Sequence, residues 1–168
     1  KDQIMRYRIE FGRSDANRLK AQKFRQKVFR DSDNGLDEDK FDHISDHFLI
    51  FDKNSGDKLV LVFRSRTFSS MKEILCSYSA QYYDLTMLTN LPFAPMEIGR
   101  LCIDKSASDP FLLLSAFKYL VSIISSNQSD FIFGCTSFVG ADNPRHLVSL
   151  SSLEKNQIAD SKFPIKKK

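Results

Sequence analysis

The stretch "MEIGRLCID" at positions 96–104 sets a carboxylate and a guanidinium, Glu97 and Arg100, among Ile98, Leu101, Cys102 and Ile103, which read as a buried strand. Charged side chains enter such surroundings only with partners or a task. A carboxylate placed there can act as a general base: burial raises its pKa toward the working pH, and a nearby guanidinium draws it back down. On an ideal strand the two side chains point to opposite faces, so their cooperation needs a bulge near Gly99. Further ionic residues stand apart in the chain: Arg25 with Phe29 one helical turn later, Asp39 and Asp42 in "DKFD", and Arg64 near the end of "KLVLVFRSR". Two carboxylates hold an ammonium and a guanidinium holds a carboxylate through a bidentate fork, so the set suits an amino acid. Each residue also has a structural reading: an ion pair for Glu97 and Arg100, a solvated acidic loop for Asp39 and Asp42, and a core position for Phe29.

Other chemistries find little support. His43 and His47 have i, i+4 spacing with Asp46 beside them, but His47 opens a predicted strand and no HExxH is present, so no metal site is expected. Ser149, Ser151 and Ser152 lack a His/Asp triad pattern. Cys76, Cys102 and Cys135 are far apart, odd in number and without CxxC spacing, which points to packed thiols in a reducing compartment, the cytosol. The net charge of +4 owes three positives to Lys166, Lys167 and Lys168, a solvated tail, so nucleic acid is not an expected partner. No signal peptide is visible, and the longest apolar run, residues 111–124, is too short to span a bilayer and is interrupted by Ser115 and Lys118.

The elements that must position these residues follow from periodicity. With 168 residues, 42% hydrophobic and 15 Phe, the chain is read as a single domain, residues 1–168, with one core. Residues 4–12 alternate as a first strand ending at Gly12, and Ser14 or Asp15 caps a helix with Ala21, Phe24 and Val28 on one face. The rest of that helix is basic. After a polar connection with Asn34-Gly35 as its turn, residues 47–52 and 58–66 flank "KNSGD" as an antiparallel hairpin. Residues 67–95 read as a long, partly helical connection. A strand at 97–103 precedes "SASDP", which supplies Ser and Asp for a cap and Pro110 for the first position of a helix to about Ser125, so apolar that burial on more than one side is expected. A strand over 130–138 and a helix over 141–155 complete the order. This is an α/β pattern with a mixed central sheet and helices on its faces.

That order, together with "RQKVF", "DEDKFDHISDHFLIFD", "EIGRLCI" and "FGCTSFVGAD", resembles the acyl-carrier-protein-dependent N-acyltransferases of the GNAT (acyl-CoA N-acyltransferase-like) fold. The nearer resemblance is to the ornithine N-acyltransferases of bacterial ornithine-lipid synthesis, often labelled hemolysin-like. The more distant one is to the acyl-homoserine-lactone autoinducer synthases. It runs from about Phe24 to Leu153.

The resemblance implies roles residue by residue. Glu97 and Arg100 take the catalytic Glu-x-x-Arg positions, and Arg25, Phe29, Asp39, Asp42 and Arg64 the substrate-binding ones. Gly99 with Cys102 and Gly134 with Cys135 mark the thioester and oxyanion region, where the fourth and fifth strands splay to admit the thioester arm. It implies no tightly bound cofactor. The donor is an acyl group, 3-hydroxylated in this family, on the phosphopantetheine of acyl carrier protein, whose acidic surface the basic helix from Lys20 to Arg30 would meet. The acceptor is the α-amine of ornithine or a similar amino acid, and the product a lyso-ornithine lipid. The protein is then expected in the cytoplasm, peripherally at the inner membrane. Acetyl-CoA-using members carry an Arg/Gln-x-x-Gly-x-Gly/Ala loop that cradles the pyrophosphate, whereas this chain has "DKSASDPF", which favours the carrier-protein donor. Two further family strands have little sequence after Leu153 to form them, so the chain reads as a fragment or processed form. The competing readings are an autoinducer synthase and a truncated, non-catalytic relative kept for binding.

Overall fold

The computed structural model describes residues 6–90, 94–107, 109–129, 131–136, 146, 151–152 and 166–168. In chain order the elements are β1 (Tyr7–Gly12), α1 (Asp15–Arg30), β2 (Asp46–Asp52), β3 (Lys58–Thr67), β4 (Tyr83–Asp84), β5 (Pro95–Ile103), α2 (Pro110–Ser126), β6 (Phe131–Phe133) and β7 (Lys166–Lys167). They belong to two compact units, one of Lys1–Ser69 with Phe93–Phe133, the other of Ser70–Pro92 with Gly134–Lys168.

The first unit is built on a five-stranded sheet in the order β1-β2-β3-β5-β6. β1, β2, β3 and β5 pair antiparallel in sequence along it, and β6 is parallel to β5. The expected hairpin forms: Asp52 accepts from the Asn54 N–H, and Gly56 turns the chain at φ 71°, a left-handed conformation that glycine adopts without steric cost. β2 reads "HFLIF" because it is covered on both sides. Phe48 and Ile50 join Leu61, Phe63 and Met96 under Leu112, Ala116 and Ile123 of α2, while Leu49, Phe51, Val62 and Cys102 pack under Ala21 and Phe24 of α1. Strands buried on both faces lose polar alternation and read as continuous apolar runs. Helices therefore lie on both faces of a mixed sheet, as the sequence indicated. α1 starts where expected, with the Ser14 Oγ accepting from the Asn17 N–H at 3.2 Å.

Four expectations are corrected. α2 buries Leu112, Ala116 and Ile123, but Phe117 (58% exposed) and Val121 (60%) on its far side are open, so apolar composition all round did not mean burial all round. Phe29, placed in the core by its helical spacing, is exposed because it lies off the Ala21–Phe24 face. The strand read over 130–138 is only Phe131–Phe133; residues 134–136 are not strand, and 137–138 lie outside the described residues. Cys76, expected packed, is exposed. Of the helix read over 141–155, only His146, Ser151 and Ser152 are described, and all three are helical.

The second unit pairs β4 with β7 antiparallel, Tyr83 opposite Lys167. Short 3₁₀ turns at Met71–Cys76, Ser79–Gln81 and Thr86–Asn90 bury Ile74, Ala80 and Leu88 in the connection. Among the described residues, no helix is long and apolar enough to cross a membrane.

Candidate active site

Strand register decides where the ionic residues point. Along β5, Met96 and Ile98 belong to the apolar cluster under α2, so Glu97 between them faces the α1 side, directly across the ladder from Arg66. Gly99 lies opposite Arg64, and Cys102 opposite Val62. Two residues of β5, Arg100 and Leu101, therefore stand against the single Phe63: a β-bulge, with Arg100 in the left-handed region at φ 55°. The extra residue reverses the alternation and turns Arg100 toward the α1 side as well. The three-residue spacing, which separates side chains on a regular strand, here places Glu97 and Arg100 on one face.

On that face three guanidiniums meet three carboxylates. Asp42, fully buried, accepts at one oxygen from Arg25 Nη2 (2.7 Å) and Gln22 Nε2 (3.0 Å), and at the other from Arg64 Nη1 (2.8 Å). Asp39 accepts from the same Arg64 Nη1 (2.6 Å), from the Phe41 N–H (2.8 Å) and, at its second oxygen, from Arg100 Nη2 (3.0 Å). Asp37 takes Arg25 Nε at 3.1 Å and lies 3.4 Å from Arg100 Nη1, while its backbone carbonyl accepts Arg25 Nη2 at 2.6 Å. Burial alone would raise the Asp42 carboxyl, but Arg25, Gln22 and Arg64 outweigh it and hold the pKa at about 2. Asp39 is likewise lowered, burial being outweighed by Arg64 and Arg100.

The cluster has a sealed floor and an accessible rim. Arg25 is 1% exposed and Asp42 is at 0%, so these two predicted substrate contacts do not reach solvent; they hold their neighbours instead. Arg64 is nearly closed off, whereas the side chains of Arg100 and Asp39 retain 24% and 18% exposure. Glu97 is buried on the same face. Phe29, on the exposed side of α1, is not part of the cluster. Cys102 sits in the apolar layer under α1, where burial pushes its thiol up to about 12, so it is a packing residue and not a nucleophile. A Cβ built on Gly99 would meet nothing within 4 Å, leaving open space above the strand between Glu97 and Arg100.

The β5–β6 ladder is short. It runs from Pro95↔Phe131 to Glu97↔Phe133, and from Ile98 to Ile103 β5 has no strand neighbour on that side among the described residues. Gly134 and Cys135 follow β6 outside any strand.

Three participants were not singled out from sequence. Asp37 lay within an ordinary acidic loop, and Gln22 carried one signal, its i, i+3 spacing from Arg25 on a helix face. His47, considered only as half of a metal pair, is fully buried on β2 beside Arg64 and bonds the Asp42 carbonyl through Nε2 at 2.9 Å. Its supposed companion His43 is exposed, and among the described residues no group of His, Cys, Asp and Glu could hold a metal.

A mixed sheet flanked by a helix on each face, with an ionic cluster beside the end of its short parallel ladder, defines an α/β domain. Residues 19–113 match the acetyltransferase (GNAT) domain family, and the chain belongs to that family. It is similar to the L-ornithine N(alpha)-acyltransferases of Rhodobacter capsulatus, with 28% identity over 81% of this chain and 58% of that protein. The corresponding protein of Brucella abortus is 26% identical over 92% of this chain and 54% of its own length. The chain thus spans little more than half the length of these relatives. In structure it resembles FeeM, an N-acyl amino acid synthase from uncultured soil microbes, at a TM-score of 0.58 and 15% identity, covering 88% of this chain and 77% of that one. The acyl-homoserine-lactone synthase LasI gives 0.56 and 14%, covering 89% and 76%. Both likenesses support the GNAT fold.

Proposed function

We propose that this domain is an N-acyltransferase that moves an acyl chain from a carrier-protein thioester to the α-amine of ornithine or a similar amino acid, giving a lyso-ornithine-type lipid. The observation that carries the reading is the gathering of Glu97, Arg64, Arg100 and Asp39 on one face of the sheet beside the point, at Glu97, where the described β5–β6 ladder ends. The acceptor's ammonium meets Asp39 and Glu97, and its carboxylate meets Arg100, the cation of the cluster that reaches solvent. Glu97, directly or through one water, takes the amine's proton so that nitrogen can attack the thioester carbonyl. Backbone N–H groups of β5 beyond Glu97 receive the oxyanion of the tetrahedral intermediate. Its collapse breaks the C–S bond, forms the amide and releases a thiolate that takes up a proton. Arg25 and Asp42 hold the rim from beneath.

The turn before α2 supports a donor without a nucleotide. A helix N-terminus ordinarily offers its N–H groups to a phosphate. Here Asp109 Oδ1 accepts the Phe111 N–H at 2.9 Å, and Asp104 Oδ1 accepts the Ser106 N–H at 2.8 Å. Arg6 and Tyr7 fix Asp109 in turn, at 2.6 and 2.7 Å. Carboxylates thus already take these two N–H groups, which supports a donor without a diphosphate. The similarity to L-ornithine N(alpha)-acyltransferases supports the acceptor class, and an amphipathic product is consistent with work at a membrane surface.

The test is a thiol-release assay with 3-hydroxyacyl carrier protein and ornithine, with mass detection of the N-acyl product. Release that depends on ornithine is expected, with acyl-CoA a poorer donor by at least about tenfold, since like charges disfavour the diphosphate. Absence of release with ornithine, or release only with S-adenosylmethionine in its place, rejects the reading. The bulge supplies a sharper expectation. Arg100→Gly relieves a left-handed residue, worth about 1 kcal/mol, and removes a partly exposed pair worth about 0–1 kcal/mol, so unfolding in urea should change little. The KM for ornithine should rise by about tenfold or more, as expected for loss of a charge-assisted contact of about 1.5–3 kcal/mol.

A further inference from the structure

We infer that His47 is a positioning residue for the acceptor site, a neutral imidazole strut that holds the 39–42 turn and through it aims Arg64 and Arg100. The inference rests on the acyltransferase reading and adds to it a residue that touches neither substrate. His47 is completely buried on β2, opposite Arg64 in one ladder and Gly12 in the other. Its Nε2 lies 2.9 Å from the backbone carbonyl of Asp42. A carbonyl can only accept, so Nε2 carries the proton and Nδ1 presents a lone pair. Nδ1 is buried and has no hydrogen-bond partner among the described residues.

The Asp42 carbonyl belongs to the residue whose carboxylate grips Arg25 and Arg64, and the same turn carries Asp39, which grips Arg64 and Arg100. One imidazole N–H thus fixes the backbone from which Arg64 and, through Asp39, the acceptor-facing Arg100 are oriented. The surroundings require it to stay neutral. The charged groups acting on it are Asp42 from the connection, Arg25 from α1 and Arg64 from β3, with Asp46 next to it in sequence on β2; behind them, Asp42 and Arg25 hold Gln22 and Asp37, and Arg64 holds Asp39, which pairs with Arg100 of β5. Three carboxylates already balance three guanidiniums. A second ring proton would add a buried cation with no acceptor at Nδ1, and burial accordingly lowers the His47 pKa, with Arg25 and Arg64 acting in the same sense. Asp42 stays ionised down to about pH 2, well below the range in which an imidazole titrates.

The experiment measures ornithine KM and kcat separately from pH 7.5 to 5 for the wild type, His47→Gln and His47→Phe, alongside histidine ¹⁵N NMR of the wild type. The NMR should show a neutral, Nε2-protonated ring at pH 6. The wild-type KM should climb on the acid side with kcat changing less. His47→Gln, whose amide can donate to the Asp42 carbonyl and does not titrate, should keep the KM at pH 7.5 within about threefold and flatten the acid rise. His47→Phe, which leaves a buried carbonyl unsatisfied, should raise KM about tenfold at every pH. The inference is overturned by an imidazolium signal at pH 6, by an unchanged acid rise in His47→Gln, or by a wild-type KM in His47→Phe. Should His47→Phe not fold, the Gln profile and the NMR decide. A wild type that transfers no acyl group defeats the acyltransferase reading instead, a result distinct from any of these.

Discussion

Glu97→Gln is expected to lower acyl transfer to ornithine by about 10²–10⁴-fold, the usual contribution of a positioned general base, in a protein that still folds. The expectation follows from placement. Met96 and Ile98 are anchored in the apolar layer under α2, so residue 97 must face the ionic side whichever isostere it carries. Glutamine keeps the shape and hydrogen-bonding reach of glutamate but cannot take the proton of an ammonium. If Glu97 acts as the base, the loss should appear chiefly in kcat, and raising the pH, which supplies free amine from solution, should recover part of it. A variant that transfers at the wild-type rate at pH 7 would remove Glu97 from the chemistry. In that case the base would have to come from the acceptor or from water.

Asp42→Asn should be the most damaging substitution to stability, costing about 3–5 kcal/mol, because it removes one member of a buried ion network and leaves Arg25 and Arg64 without their shared carboxylate. The pH dependence gives an independent check. The folded-state pKa of Asp42 is lowered to about 2, against an ordinary value of about 3.9 in an unfolded chain. The unfolded state therefore binds the proton first, so the contribution is complete above about pH 4 and drains away as the pH falls toward 2. It amounts to about 2–3 kcal/mol. Urea unfolding of the wild type between pH 6 and 3 should show this loss beginning, and Asp42→Asn should start lower and lack that part of the slope. An asparagine variant as stable as the wild type would mean that Arg25 and Arg64 find other acceptors, and the idea of a sealed ionic floor would fail.

Much of this protein was legible from its residues. Period-2 and period-3.6 patterns located β1, α1, the β2–β3 hairpin, β5 and α2. Both helix starts were readable to within a residue or two, Ser14 or Asp15 and a Ser or Asp of "SASDP", because capping is a local matter of one side-chain oxygen and an N–H two or three residues on; Ser14 and Asp109 are the caps used. Glu97 and Arg100 stood out because charged side chains inside apolar strands are costly and rarely idle, and the family resemblance joined Arg25, Asp39, Asp42 and Arg64 to them. Their division of labour was not legible. Arg25 and Asp42 look no different in sequence from Arg100 and Asp39, yet the first two are sealed beneath the surface and the other two reach it.

The sequence by itself thus determined which segments are strands and helices, and that carboxylates and guanidiniums from distant segments would be drawn into one domain. The tertiary structure alone decided that Glu97 and Arg100 share a face, that His47 braces the Asp42 turn, and that β5 parts from β6 after Glu97. The physical reason is that side-chain direction in a sheet depends on register, and register depends on neighbouring strands. A single extra residue opposite Phe63 reverses every side chain beyond it, an event the chain itself marks only by Gly99 just before it.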